Sequence, residues 1–138
     1  GEDGEKHRPI MLHRAMLGSI ERFMGILLES TGGNLPLWLS PEPVVVTPVS
    51  EKFKDYANEV VDMLRHENVY TRADLRDEKV NYKIRYLSLA KTPIIAVVGE
   101  KEMADKTVTL RYLGSDKQET LSLDAFINKM RDAVKMPE

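Results

Sequence analysis

The chain has 138 residues, of which 42% are hydrophobic and 30% are charged, and its formal net charge is −2. This mixture is typical of a globular protein and argues against the disordered and membrane-embedded classes. Because the chain has no cysteine, disulfides and thiolate metal sites are excluded as well.

The apolar runs of the sequence are short, and the run 94–98 falls far below the length that crosses a bilayer. No basic-then-apolar leader opens the sequence, so secretion is not indicated. We therefore expect a cytoplasmic protein without a membrane partner, and the absence of cysteine is compatible with that compartment.

The first part of the chain, residues 1–33, is predicted to hold an extended segment, Pro9–Met16, and one helix. Apolar side chains then recur at helical spacing, at Ile20, Phe23, Met24, Leu27 and Leu28. Ser19 can cap the start of this helix, and Gly32–Gly33 can end it.

A proline-rich connector, residues 34–43, follows and indicates a domain boundary. The remainder, residues 44–138, alternates between strands and helices, which predicts crossovers and parallel pairing. The predicted strands are Val44–Val49, Val69–Ala73, Pro93–Val98, Thr107–Leu113 and Gln118–Leu121. Residues 114–117 between the last two strands predict a hairpin turn.

Three helices are predicted among these strands. Ser50 can cap the first helix, and either Asp77 or Asp74 can cap the second, Glu78–Leu89. The third runs from about residue 124 to residue 135. The expected fold class is therefore α/β, with a mixed, roughly five-stranded sheet and three helices, preceded by the detached strand and helix of residues 1–33.

Sequence signatures of enzymes are mostly missing. The chain has no G-x-G-x-x-G after a strand, no G-x-x-x-x-G-K-[ST] and no G-x-S-x-G, so neither a phosphate-binding loop nor a serine nucleophile is supported. His7, His13 and His66 lie far apart in the sequence, and no histidine pair has zinc-ligand spacing.

Positive charge is concentrated in one stretch, although the whole chain is slightly acidic. Between residues 72 and 91 six cations face three anions, which leaves a local charge of +3. The cations are Arg72, Arg76, Lys79, Lys83, Arg85 and Lys91. A basic patch beside a strand end is typical of a nucleic-acid-binding α/β protein. The alternative is a charged helix that only increases solubility.

Two further residues favour base recognition. Glu102 follows the predicted buried strand, and Arg111 lies on the next strand. A carboxylate accepts hydrogen bonds from base amino groups, whereas a guanidinium donates to base oxygens and ring nitrogens. The pair could therefore read unpaired bases, the usual target of RNA-specific proteins. The alternative is a surface ion pair, worth about 0–1 kcal/mol.

Four segments, in this order and spacing, resemble the C-terminal end of threonyl-tRNA synthetases: His13–Arg22, Leu37–Pro41, Ala73–Lys79 and Val98–Glu102. The resemblance covers nearly the full chain. It implies that residues 44–138 are an anticodon-binding domain. It also implies that residues 1–33 are the C-terminal remnant of a class II catalytic domain, with Pro9–Leu28 as the last strand and helix of that domain.

The same resemblance implies two sites of the intact enzyme. The arginine matching Arg22 contacts ATP, which acts with magnesium, and the histidine matching His13 is one of three protein ligands of a zinc that binds threonine. The other two ligands are not present in this sequence, so the chain alone is expected to be non-catalytic and without a cofactor. From the residues alone, the favoured interpretation of Arg22 is a solvated side chain on a helix face.

On the anticodon side, the resemblance implies that Glu102 and Arg111 read bases of threonine tRNA. The supporting contacts, mostly to phosphates, are expected from Arg85, Lys91, Arg76, Lys79 and Lys83. Asp77 stands where the family often has asparagine, so helix capping is its safer role. Lys91 stands where arginine is common, which favours a phosphate contact.

The implied partners are the anticodon stem-loop of threonine tRNA, the rest of the synthetase, and a second copy in a homodimer. Two other functions stay open from the residues alone. One is a nucleotide site at the strand ends, as in flavodoxin-like domains, and the other is a protein-binding accessory module on the same fold. The missing phosphate loop weighs against the nucleotide site.

Overall fold

A computed structural model describes residues 1–16, 18–115 and 117–137. The described chain divides into two compact units, Gly1–Gly32 and Gly33–Glu138. Position 116 of the predicted turn, position 17 of the predicted catalytic remnant and the last position of the predicted anticodon-binding domain lie outside the described residues.

The first unit contains one helix, α1, at Ile20–Thr31. Ser19 caps it as predicted, since its hydroxyl oxygen accepts a hydrogen bond from the Arg22 backbone N–H at 3.1 Å. Gly32 ends it in the left-handed conformation, with φ of 58°. The structure assigns no strand to residues 9–16, where the sequence predicts an extended segment, because the described part of this unit offers no neighbouring strand to pair with.

The second unit is built on a five-stranded mixed sheet, which confirms the predicted fold class. Its strands are β1 (Val44–Pro48), β2 (Thr71–Ala73), β3 (Ile94–Val98), β4 (Thr107–Tyr112) and β5 (Gln118–Ser122). Their order across the sheet is β2-β1-β3-β4-β5. β1 pairs in parallel with β2 and β3. β4 pairs antiparallel with both β3 and β5.

Four α-helices belong to this unit. They are α2 (Lys54–His66), α3 (Val80–Leu89), α4 (Glu100–Asp105) and α5 (Leu123–Ala133). The sequence predicted only three, because the six residues of α4 are too few to display an apolar periodicity. Short 3-10 turns lie at Leu37–Leu39 and Glu51–Phe53. Within the described residues no helix is both long and apolar enough to span a membrane.

Two predicted helix caps are wrong. The helix predicted at Glu78–Leu89 is α3, which begins at Val80 rather than at residue 78. Lys79 at its N-cap makes no side-chain capping bond. Asp77 therefore does not cap it, and the Asp74 carboxylate instead accepts hydrogen bonds from Arg76. Ser50 precedes a 3-10 turn and makes no side-chain capping bond either.

The helices cover the two faces of the sheet unequally. One face packs against α2 and α5, whose Leu64 and Phe126 are fully buried in the main core. On the other face Leu87 of α3 packs against Val45 and Ile95 of β1 and β3. On the same face β4 and β5 carry side chains that are partly or fully exposed. This uncovered half of the sheet is where a ligand can reach the strands.

Candidate nucleic-acid interface

A cleft of about 320 Å³ lies over the uncovered half of the sheet. It brings Glu102 and Arg111 together, although nine positions separate them in the sequence. Register explains the position of Arg111, because β4 pairs Arg111 with Ile95 and Thr109 with Val97 on the face that α3 covers only in part. The lining residues are Val49, Val80, Asn81, Ile84, Val97, Glu102, Thr109, Arg111, Gln118 and Thr120.

Glu102 is held in place by two hydrogen bonds. Its Oε2 accepts from the Gly99 backbone N–H at 3.0 Å, which satisfies the N–H at the N-cap of α4. Its Oε1 accepts from the Thr109 hydroxyl at 2.8 Å. A Cβ at position 99 would lie 3.2 Å from both Glu102 Oε2 and a Val49 methyl group, so the glycine leaves room for the carboxylate. These contacts fix the carboxylate between α4 and β4.

The fixed carboxylate keeps acceptor capacity for a ligand. An ionised carboxylate offers about four lone-pair sites, and the fold occupies one on each oxygen of Glu102. Its neighbour Thr109 also lies 3.2 Å from the Thr120 hydroxyl, which links the arrangement to β5. The fold therefore fixes the orientation of the Glu102 carboxylate and leaves lone pairs on it that can accept hydrogen bonds from a ligand.

Arg111 complements this acceptor. Among the described residues its guanidinium has neither a hydrogen-bond partner nor an ion-pair partner, so the surface ion pair with Glu102 that the sequence left open does not form. Its side chain is half-buried beside Gln118, its register partner on β5. The cleft thus presents one oriented acceptor and one guanidinium with five N–H donors.

Three of the predicted cations lie exposed around α3. Lys79 stands just before the helix, Arg85 lies on it, and Lys91 follows it in the left-handed conformation, with φ of 62°. Within the described residues none of the three forms an ion pair. They are available to an anionic partner.

Arg76 has a partner inside the fold, contrary to its predicted availability. Its Nε and Nη2 donate to the Asp74 carboxylate at 2.8 and 2.6 Å, and its guanidinium carbon lies 4.1 Å from the centre of the Tyr86 ring. The hydrogen bonds from Arg76 hold the pKa of Asp74 below its ordinary value, and those to Asp74 raise the pKa of Arg76. Charge counting missed this pair because both members were counted as independent surface charges.

Lys83 is buried, so its main role is to stabilise the fold. Only 3% of it is exposed, and its Nζ donates to the carbonyl oxygens of Asp74 at 3.2 Å and Pro48 at 3.5 Å. It thereby ties α3 to the carboxyl ends of β1 and β2. It also reaches the wall of a second cleft, of about 280 Å³, that Lys54 and Lys79 line as well.

The ATP and zinc sites predicted for the intact enzyme would each take one residue from the first unit. His13 and Arg22 are both exposed. No group of three or more His, Cys, Asp or Glu side chains stands together in the described part of the chain. The residues present do not fit a zinc site, and the ATP contact of Arg22 stays a prediction.

Several polar residues of the cleft were missed at the level of sequence. Thr109, Thr120, Gln118 and Asn81 add hydroxyl and amide groups beside Glu102 and Arg111. The alternation of β4 carried a usable signal, since Thr109 must share a face with residue 111. No comparable sequence signal pointed to the cleft residues of β5 and α3, because their position depends on strand register and on the placement of the helix.

Comparison with known proteins assigns a family to this architecture. A family model described as "Anticodon binding domain" matches residues 43–133. The chain is 51% identical over 127 residues to a threonine–tRNA ligase of Dinoroseobacter shibae, which covers 92% of this chain and 19% of that protein. It is 47% identical to the threonine–tRNA ligase of Parvibaculum lavamentivorans, with 100% of the chain and 21% of the relative covered.

A solved structure is similar as well. It is the RNA-binding domain of threonyl-tRNA synthetase from Cryptosporidium parvum Iowa II, with a TM-score of 0.80 and 40% sequence identity. The match covers 85% of this chain and 30% of that chain. The chain thus spans about a fifth of the length of the curated relatives that it matches.

Proposed function

The chain belongs to the family of anticodon-binding domains, and from this membership we propose that it holds the anticodon loop of a threonine tRNA as one part of a threonine–tRNA ligase. The observation that carries the proposal is the cleft in which the fixed Glu102 carboxylate faces the same space as the Arg111 guanidinium, which has no partner among the described residues. All the residues that line the cleft lie within the range 43–133 that the family model matches.

The chemistry of the cleft suits unpaired bases. The Glu102 carboxylate accepts hydrogen bonds from an amino or imino group, and the Arg111 guanidinium donates to a carbonyl oxygen or ring nitrogen. In a duplex these edges are engaged in pairing, whereas in a loop they are free to be read. Because the fold holds Glu102 in one orientation, little side-chain entropy is lost when a base binds.

The exposed cations supply affinity rather than specificity. Lys79, Arg85 and Lys91 surround α3 and contact phosphates of the same loop in this proposal. Phosphate contacts carry no sequence information, so they hold the RNA while Glu102 and Arg111 discriminate among anticodons.

The wider activity is proposed for the whole ligase. We infer that the whole ligase joins threonine to its tRNA with ATP, and that Arg22 contributes one contact to that ATP in the intact enzyme. Zinc would require ligands in addition to His13, and the described residues bring no such ligands together. A homodimeric, cytoplasmic enzyme is the assembly in which we expect this domain to work.

Binding of Arg111→Ala to transcribed threonine tRNA and to an anticodon-swapped control tests the proposal. We expect affinity for the cognate tRNA to fall by about 1–3 kcal/mol, while affinity for the swapped tRNA changes little. Arg131→Ala is the matched control, because Arg131 lies on α5, against the opposite face of the sheet. Equal losses on both RNAs would remove the base-reading role.

A further inference from the structure

The outer face of α3 exposes two tyrosines that the core does not use. Tyr82 is 52% exposed and Tyr86 is 47% exposed, whereas Leu87 on the inner face is fully buried. Residues 82 and 86 are four apart, so their rings lie on one face of the helix. The stretch 79–91 that contains them has four cations and no acidic residue.

One guanidinium is already stacked on this face. The Arg76 guanidinium carbon lies 4.1 Å from the centre of the Tyr86 ring, and two hydrogen bonds to Asp74 fix its plane. Asp74 is itself 2% exposed, so the acceptor that orients Arg76 is anchored in the fold. The side chain of Arg76 is nevertheless 38% exposed. The result is an exposed cluster of one oriented guanidinium and two phenol rings.

We propose that this face, formed by Tyr82, Tyr86 and Arg76, stacks an unpaired nucleotide that lies outside the anticodon triplet. The inference rests on the proposed function, because it takes the same RNA as the partner. Aromatic rings and guanidinium planes both stack on bases, and they do so with every base because each base has a π-face. The site would therefore add affinity without sequence preference.

Charge favours RNA over a protein partner on this face. Lys79 and Arg85 lie three residues to either side of Tyr82, on the same side of the helix, and are exposed. They can contact the phosphates that flank a stacked base. A protein docking here would have to cover these cations, and the stretch 79–91 provides no acid to balance them.

The test compares Tyr82→Ala and the double variant Tyr82→Ala/Tyr86→Ala with the unsubstituted chain. We expect each to bind threonine tRNA and the anticodon-swapped tRNA about tenfold or more weakly. The slope of log affinity against log salt should stay unchanged, because no charge is removed. Tyr82→Phe should keep affinity, and Tyr70→Ala, at a tyrosine 72% exposed just before β2, is the matched control.

Several results would overturn the inference: unchanged affinity in the double variant, loss for the cognate RNA alone, or a loss in Tyr82→Phe equal to that in Tyr82→Ala. A second measurement does not depend on a variant. With 2-aminopurine at each loop position outside the triplet, at least one position should be quenched by the unsubstituted chain, and quenching at none would also overturn it.

Failure here is distinguishable from failure of the proposed function. If Arg111→Ala abolishes anticodon discrimination while both tyrosine variants bind normally, only the stacking face is wrong. If the tyrosine variants weaken both RNAs while Arg111→Ala leaves discrimination intact, the stacking face stands and the base-reading cleft is wrong.

Discussion

Thr109 donates its hydroxyl hydrogen to Glu102 Oε1 at 2.8 Å, across the gap between the middle of β4 and the first turn of α4. The bond makes the orientation of the proposed base acceptor depend on a strand residue that itself carries no charge. Among the described residues, the other hydrogen bond that restrains Glu102 comes from the Gly99 N–H. Thr109 is thus a positioning residue for the cleft.

Replacing Thr109 with valine should therefore weaken anticodon discrimination. The near-isosteric Thr109→Val keeps the shape but removes the hydroxyl, so we expect the ratio of cognate to swapped affinities to fall about three- to tenfold. Thr107→Val is the control, because Thr107 lies on the same strand and face. The ratio is measured by competition binding, and an unchanged ratio in Thr109→Val would contradict the positioning role.

Lys79 and Lys83 lie four residues apart, but their substitution should affect different properties: protein stability for Lys83 and RNA affinity for Lys79. Lys83→Ala removes a buried ammonium from two strand-end carbonyls, so the free energy of unfolding should fall by about 1–3 kcal/mol. Lys79→Ala should leave stability unchanged, weaken all RNAs similarly and reduce the salt slope by about 1. Urea unfolding and a salt series of binding measurements separate the two effects, and identical behaviour of the variants would refute the assignment.

Acid should weaken the fold through Asp74. Hydrogen bonds from Arg76 hold its pKa below the ordinary value of 3.8, although burial opposes this. Because the folded-state pKa is the lower one, the carboxylate stabilises the fold above about pH 4, and this contribution is lost as the pH falls through the folded-state pKa. Asp74→Asn should lower the free energy of unfolding by about 1–3 kcal/mol at neutral pH.

The pH profile of that difference is the decisive measurement. The difference in the free energy of unfolding between Asp74→Asn and the unsubstituted chain should decrease steadily below about pH 4. Asp62→Asn, at an exposed carboxylate of α2, serves as the control and should show no gap. A gap that keeps its full size at the lowest pH at which the chain still folds would argue against the Asp74–Arg76 contribution.

Alkali should act through Tyr56. This residue is 3% exposed, and its hydroxyl donates to the Thr107 carbonyl oxygen at 3.0 Å. Burial raises the pKa of the phenol, and the negative charges of Glu59 and Glu102 raise it further. Its stabilising effect is therefore fully present below about pH 10 and is lost as the pH rises through the folded-state pKa.

The corresponding substitution is Tyr56→Phe, which should lower the free energy of unfolding by about 0.5–1.5 kcal/mol at neutral pH. Denaturant titrations from neutral to strongly alkaline pH should show this deficit shrinking above about pH 10. Tyr70→Phe, at the exposed phenol, should show no deficit at any pH. A Tyr56→Phe deficit that grew with pH would reverse the sign expected from the linkage.

The local pattern of the sequence was sufficient for the architecture. β-branched runs predicted β1 and β3, and Ser19 and Gly32 marked the two ends of α1, because strands and helix ends depend on neighbouring residues. The four segments that resemble threonyl-tRNA synthetases also identified the family that the comparison assigns. Elements too short to show a repeated apolar pattern, such as the six-residue α4, escaped prediction.

Which charges are available was decided only by the tertiary structure. Arg76 and Lys83 counted as surface cations in the sequence, but Arg76 is bound by Asp74, and Lys83 of α3 is buried against the carboxyl ends of β1 and β2. Likewise, the approach of Glu102 to Thr109 follows from strand register and from the turn into α4. Composition records how many charges a chain has, whereas solvation and partners, which set what each charge can do, arise only when distant segments pack together.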